Sequence, residues 1–72
     1  MTLRKFVVDY LFSYMAIEVV NLADEVLFYG DVWALLYDRQ VRHANSLLKK
    51  VVHNMKPVIR HDVVAVLQIV VE

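Results

Sequence analysis

Residues 63–71 read VVAVLQIVV, and in this stretch the helix and strand patterns compete most closely. Most of these residues are β-branched, and such residues favour strands. A strand must pair its backbone groups with a neighbouring strand, however, and we find no second strand-like run in the sequence. We therefore predict a helix over 58–71, with Pro57 at its start, where a missing N–H is tolerated.

The preceding stretch, 32–55, has the cleanest helical pattern in the chain. Asp31 can cap this second predicted helix, because its carboxylate accepts a free backbone N–H. Asp38 and Arg42 lie four residues apart, which is a favourable spacing for an ion pair on a helix. Apolar residues recur along one face, and they are Ala34, Tyr37, Val41, Ala44, Leu48, Val51, Val52 and Met55.

The first stretch, 2–29, also follows a helical period, and Gly30 can end such a helix in the left-handed conformation. Its apolar residues form two seams. The first consists of Val8, Phe12, Met15, Val19, Leu22 and Val26, and the second of Leu3, Phe6, Val7, Tyr10, Tyr14 and Ile17. A helix in a small monomer can bury one such stripe but rarely two. We therefore expect the second seam to be an interface.

These three segments predict an all-α fold, a three-helix antiparallel bundle in one domain over residues 1–72. A chain of 72 residues buries only roughly 60% of its unfolded surface, so we expect dimerisation to complete the bundle. The placement of Gly30 and Pro57, the short loops and the absence of cysteine resemble a computationally designed small helical bundle. That resemblance likewise implies an all-α scaffold.

The pattern favours a structural or association function for this protein. Phe6, Tyr10 and Tyr14 lie at four-residue spacing, and tyrosine suits interfaces because it offers apolar area with a polar tip. We expect the partner to be a second copy of the chain, in a homo-oligomer that is most simply a dimer. A target protein bound by the same apolar aromatic face is the other form of this hypothesis.

The alternative function is a small nucleic-acid-binding protein, because the charges are segregated along the chain. Residues 1–38 contain two cations and six carboxylates, whereas residues 39–60 contain six cations and no carboxylate. A basic face of this kind attracts phosphates. A solvated helix face is the plainer interpretation, so association stays the preferred function. The basic face of the second predicted helix carries Arg39, Arg42, Lys49 and Lys50.

A further alternative is an apolar-ligand or haem-binding protein that uses one of the three histidines. His43 and His53 are ten residues apart, which separates them by about 15 Å along a helix. One metal ion cannot bridge that distance within a single helix. We therefore expect no metal site and no cofactor.

The sequence lacks the patterns that are typical of two other classes of protein, enzymes and membrane-spanning proteins. An enzyme needs a nucleophile, a base and a pocket. Ser46 follows His43 by three residues, but a bundle offers little backbone for an oxyanion hole, and the chain has no phosphate-binding or zinc-protease motif. A membrane span needs about 20 apolar residues, whereas the longest uncharged run of the first predicted helix covers only residues 10–17. We expect neither catalysis nor a membrane span.

Overall fold

A mixed four-stranded sheet forms the framework of the protein in a computed structural model that describes residues 1–61 and 64–72. Its strands are β1 (Ala16–Val20), β2 (Val26–Asp31), β3 (Val52–Arg60) and β4 (Val64–Val71). The described residues also form three short helices, α1 (Leu3–Tyr10), α2 (Val32–Tyr37) and α3 (Ala44–Leu48). The prediction of an all-α helical bundle is therefore wrong.

The strands lie side by side in the order β2-β1-β4-β3. β1 pairs antiparallel with β2 and parallel with β4, and β4 pairs antiparallel with β3. The sheet is thus built from two antiparallel pairs whose inner strands meet in parallel. Ile17 marks this centre, since it lies opposite Gly30 on one side and Leu67 on the other. α2 and α3 form the connection between the two outer strands.

β4 occupies most of the stretch for which we predicted the third helix, and Asp62 and Val63 of that prediction lie outside the described residues. It buries β-branched side chains on both faces of the sheet: Ile69 is 0% exposed on one face and Val66 is 2% exposed on the other. A central strand is paired on both sides and reads as a continuous apolar run. Of its two neighbours, β1 lies inside the first predicted helix, and β3 spans the predicted junction between the second and the third, which is why no partner strand was found.

The predicted helix over 2–29 ends at Tyr10, because Leu11 is extended, and a hairpin turn follows β1 further along the chain. The side-chain oxygen of Asn21 accepts hydrogen bonds from the backbone N–H of Ala23 at 2.9 Å and of Glu25 at 3.0 Å. Asp24 adopts a left-handed conformation with φ 62°, which aspartate tolerates better than most residues. This local turn chemistry reverses the chain between β1 and β2 and outweighs the helical period.

The predicted helix over 32–55 is also wrong beyond its first turns. Asp31 caps α2 as expected, because its carboxylate accepts a hydrogen bond from the Ala34 N–H at 2.7 Å. The helix nevertheless ends at Tyr37. His43 then adopts a left-handed φ of 61° directly before α3, so the two short helices are separate and β3 follows them.

The single glycine and the single proline do not serve the roles that we predicted for them. Gly30 lies within β2, and its φ is not positive, so it does not end a helix. Pro57 lies within β3, an outer strand of the sheet. Proline is tolerated there because the outward side of an edge strand needs no N–H for the sheet.

The helices cover one face of the sheet, and the main core lies between the two layers. None of the described helices is long and apolar enough to cross a membrane. The buried core residues come from both layers and are Leu3, Phe6, Val7, Ile17, Val19, Val32, Leu35, Leu47, Leu48, Ile69 and Val71. Side chains alternate between faces along a strand, so Glu18 and Gln68, which are also buried, lie on the opposite face.

Candidate functional site

A buried carboxylate lies at the centre of the sheet face that the helices leave open. Glu18 is 3% exposed. The Arg60 guanidinium donates to both of its oxygens, from Nε at 2.8 Å and from the terminal nitrogen at 2.6 Å. The Gln68 amide donates a third hydrogen bond at 2.9 Å. These contacts join three neighbouring strands, β1, β4 and β3.

The hydrogen bonds from Arg60 lower the pKa of Glu18 to about 2, from an ordinary value of 4.5, although burial opposes the change. The same hydrogen bonds raise the pKa of Arg60. A carboxylate that stays ionised and is held by three donors is poorly suited to exchange protons at neutral pH. We interpret this cluster as a structural element. No pattern in the sequence pointed to it, because its members are 42 and 50 residues apart.

The predicted interface seam is divided by the fold. Leu3, Phe6, Val7 and Ile17 belong to the core of the chain. Tyr10 and Tyr14 are 64% and 78% exposed, but they do not share one helix face. Tyr10 lines an open apolar cavity with Met1, Phe6 and Met55, whereas Tyr14 lies in the loop after α1. The seam as predicted is therefore not a continuous surface.

Two pairs of exposed aromatic side chains lie on the loop before β1 and on α2. The rings of Phe12 and Tyr14 stack with centroids 5.6 Å apart and planes inclined by 9°. Trp33 and Tyr37 form a tilted pair on α2, with centroids 5.9 Å apart. The backbone N–H of Trp33 donates to the carbonyl of Ser13 at 2.8 Å. This hydrogen bond connects the loop with Phe12 and Tyr14 to α2, which carries Trp33 and Tyr37.

A shallow apolar cavity lies between the loop and α2, and Val8, Ser13 and Tyr37 are among its lining residues. We call Val8, Phe12, Tyr14 and Trp33 the aromatic surface, with Tyr37 at its border. All four are more than half exposed. The predicted interface contained Tyr14 but neither Phe12 nor Trp33. We had placed these two residues on long helices, outside the face that was predicted as the interface.

The four cations predicted to contact nucleic acid surround α3 instead of lining one helix. Arg39 and Arg42 lie in the loop before α3, and Lys49 and Lys50 follow its end. All four side chains are exposed. Arg4 joins them from α1, because it lines a cavity together with Lys49. We call these five residues the basic surface.

The histidines contribute neither a core ligand nor a metal cluster to the described part of the chain. His43, His53 and His61 are all exposed. His53 lies 3.3 Å from a carboxylate oxygen of Glu72. No group of three or more histidine, aspartate or glutamate side chains that could hold a metal ion occurs among residues 1–61 and 64–72.

Comparison of the chain with protein-family models, with curated proteins and with solved structures finds no match. The function must therefore be argued from the geometry of these surfaces. The aromatic surface and the basic surface lie on neighbouring parts of the helical layer, and each suits a different kind of partner. The buried Glu18 cluster offers no open donor set for a ligand.

Proposed function

We propose that this protein is an association domain that forms a homodimer through the aromatic surface. The exposure of Phe12, Tyr14 and Trp33 carries this proposal, since the largest exposed apolar patch of a small protein is often a functional surface. The rings are 65%, 78% and 53% exposed. Aromatic side chains are enriched at interfaces because they bury a large area at a low cost in conformational entropy.

The exposed area suits a small interface. With ~200 Å² for each aromatic side chain, the three rings leave about 400 Å² exposed, given fractions of 65%, 78% and 53%. A standard interface buries about 800 Å² on each partner, of which roughly 450 Å² is apolar. The aromatic surface therefore supplies most of the apolar part that such an interface requires.

Three properties of the whole chain favour a second copy as the occupant. A folded monomer of 8.4 kDa exposes about 4,600 Å², whereas this chain exposes 5032 Å². Its formal net charge is zero, so no long-range repulsion keeps copies apart. A domain of 72 residues is also marginally stable alone, and oligomerisation is a common remedy.

The experiment is sedimentation velocity over a concentration series, with the double variant Tyr14→Asp and Trp33→Asp. We expect the wild type to be dimeric at micromolar concentrations. The double variant should sediment as a monomer of 8.4 kDa with an unchanged circular dichroism spectrum, because both side chains are exposed and buried carboxylates would be left unpaired in the interface.

Tyr10→Asp is the matched control for this experiment. Tyr10 is also a tyrosine, it is 64% exposed, and it lies outside the aromatic surface. We expect the Tyr10→Asp variant to dimerise like the wild type. A wild type that stays monomeric at all micromolar concentrations, or a dimer that Tyr10→Asp dissociates and the double variant does not, would contradict the proposal.

A further inference from the structure

The basic surface has almost no acidic side chain to balance it. None of its five cations lies within ion-pair distance of a carboxylate in the described residues. Asp38 is the nearest carboxylate along the chain, and it accepts a hydrogen bond from the backbone N–H of Gln40 at 2.9 Å. A neutral protein that concentrates unpaired cations in one region has a local positive potential there.

These cations line cavities that share their walls around α3. A cavity of about 380 Å³ is lined in part by Tyr37, Arg39, His43 and Asn45, and also by Asp38, the one acidic side chain among the described lining residues of these cavities. Asn45 also lines a second cavity of about 440 Å³, which contains Arg4 and Lys49. Because one residue belongs to both, the two cavities adjoin each other at Asn45.

A third cavity extends the same region toward the outer strand β2. His43 and Ser46 line both this cavity and the first one. Arg42 and Lys50 supply its positive charge. All five cations of the basic surface therefore line depressions around α3. This arrangement suits an extended anionic chain better than a single small ion.

Tyr37 adds an aromatic ring to the first of these cavities. Its side chain is 64% exposed and lines the same cavity as Arg39. Proteins that bind single-stranded nucleic acid combine a positive groove for the phosphates with aromatic rings on which bases stack. The bases of a duplex are stacked on each other, so they are not available to Tyr37.

We propose that the basic surface binds single-stranded nucleic acid, with phosphates along the cavities around α3 and a base against Tyr37. This inference goes beyond dimerisation: the five cations lie outside the aromatic surface, and only Tyr37 borders it. Binding is sequence-independent, since phosphates and ring faces are common to all nucleotides.

The expected affinity depends strongly on salt. For single strands, the slope of log affinity against log salt is about −0.7 for each phosphate neutralised. Engagement of all five cations predicts a slope of roughly −3.5, which weakens binding about 100-fold between about 50 and 200 mM salt. Fewer contacts give a shallower slope, so the slope counts the cations that take part.

The test is fluorescence anisotropy of a labelled oligothymidylate titrated with the full chain at about 50 mM salt, where electrostatic binding is strong. We expect binding that is tighter for the single strand than for a duplex of the same length. Lys49→Glu should weaken it at least tenfold through local repulsion. Tyr37→Ala should weaken it at least about fivefold, in line with the loss of one stacked base.

Lys56→Glu is the matched control, because it makes the same change in net charge at another site. Lys56 lies opposite Gln68 in the β3–β4 pair, on the sheet face away from the helices, and is exposed. We expect this variant to bind like the wild type. Thermal unfolding of each variant separates a loss of binding from a loss of fold.

Several results would overturn the proposal. One is the absence of binding at about 50 mM salt. Another is equal weakening by Lys49→Glu and Lys56→Glu, which would indicate a net-charge effect. Duplex binding as tight as single-strand binding would remove the role of Tyr37. Competition by polyglutamate as effective as that by unlabelled oligothymidylate would assign the surface to acidic peptides instead.

Discussion

The Arg60 guanidinium holds the Glu18 carboxylate across an intervening strand, with contacts of 2.6 and 2.8 Å. Glu18 belongs to β1 and Arg60 to β3, and β4 lies between them. A planar guanidinium donates to both oxygens at once, which fixes the relative positions of the strands as well as their charges. The pair therefore links the outer strand β3 to the opposite half of the sheet.

Stability should fall in acid because of Glu18. Its pKa is about 2 in the folded chain, below the ordinary 4.5, so the unfolded chain takes up a proton more readily. The stabilisation is complete above the ordinary pKa and is lost as the pH falls from there through about 2. We expect urea unfolding at a series of pH values to show this loss.

Glu18→Gln provides the control for the acid titration. Glutamine has a similar shape but does not ionise, so this variant should lose less stability between pH 4.5 and about 2 than the wild type does. Parallel pH curves for the two proteins would show that other carboxylates cause the acid sensitivity.

Removal of Arg60 should destabilise the sheet. Arg60→Ala leaves the carboxylate of Glu18 buried with the Gln68 amide as its remaining side-chain donor, and an uncompensated buried charge is costly. We expect Arg60→Ala to lower the free energy of unfolding more than removal of an unpaired arginine does, although solvent screens the partly exposed guanidinium. Chemical denaturation measures this loss.

Two comparisons make the Arg60 prediction specific. Arg42→Ala removes an exposed arginine that has no ion pair in the described residues, and it should change stability by less than about 0.5 kcal/mol. The double variant Arg60→Ala with Glu18→Ala should lose less stability than the sum of the two single variants, since no unpaired carboxylate is then left buried. Strict additivity would argue against the coupling.

The Asp31 cap should be worth about 1 kcal/mol, because its carboxylate accepts the Ala34 N–H at the start of α2. We expect Asp31→Ala to lower the free energy of unfolding by that amount in a urea titration. Asp31→Asn keeps a side-chain oxygen and should retain most of the stability. Equal losses in the two variants would show that the hydrogen bond is not the stabilising feature.

The sequence allowed the prediction of local features better than of long-range ones. The Asp31 cap needed only neighbouring residues, and it was correct. The turn at Asn21 was also local but was overlooked, because apolar residues on both sides continued a helical period. β4 was the stretch of uncertain pattern, and its strand character depends on β1 and β3, which are distant in sequence. The Glu18–Arg60 pair likewise exists only once those strands are aligned.

The basic surface and the aromatic surface were also predictable only where their residues are close together in sequence. Charge segregation located four of the five basic residues without any knowledge of the fold, because they are close together in sequence. The apolar seam failed as a unit, since its spacing assumed one long helix. Because α1 ends at Tyr10 and β1 follows, the seam separates into two groups: Leu3, Phe6, Val7 and Ile17 enter the core, and Tyr10 and Tyr14 stay exposed.

This division of the seam gives the last prediction. Phe6 is 5% exposed and belongs to the core, whereas Tyr14 is 78% exposed. We expect Phe6→Ala to destabilise the monomer by about 3 kcal/mol or more, because it leaves a cavity. Tyr14→Ala should change monomer stability by less than about 0.5 kcal/mol while weakening dimerisation. Denaturation at low protein concentration measures the first effect, and sedimentation at higher concentration measures the second. A large loss of monomer stability in Tyr14→Ala would place that ring in the core and remove the aromatic surface as an interface.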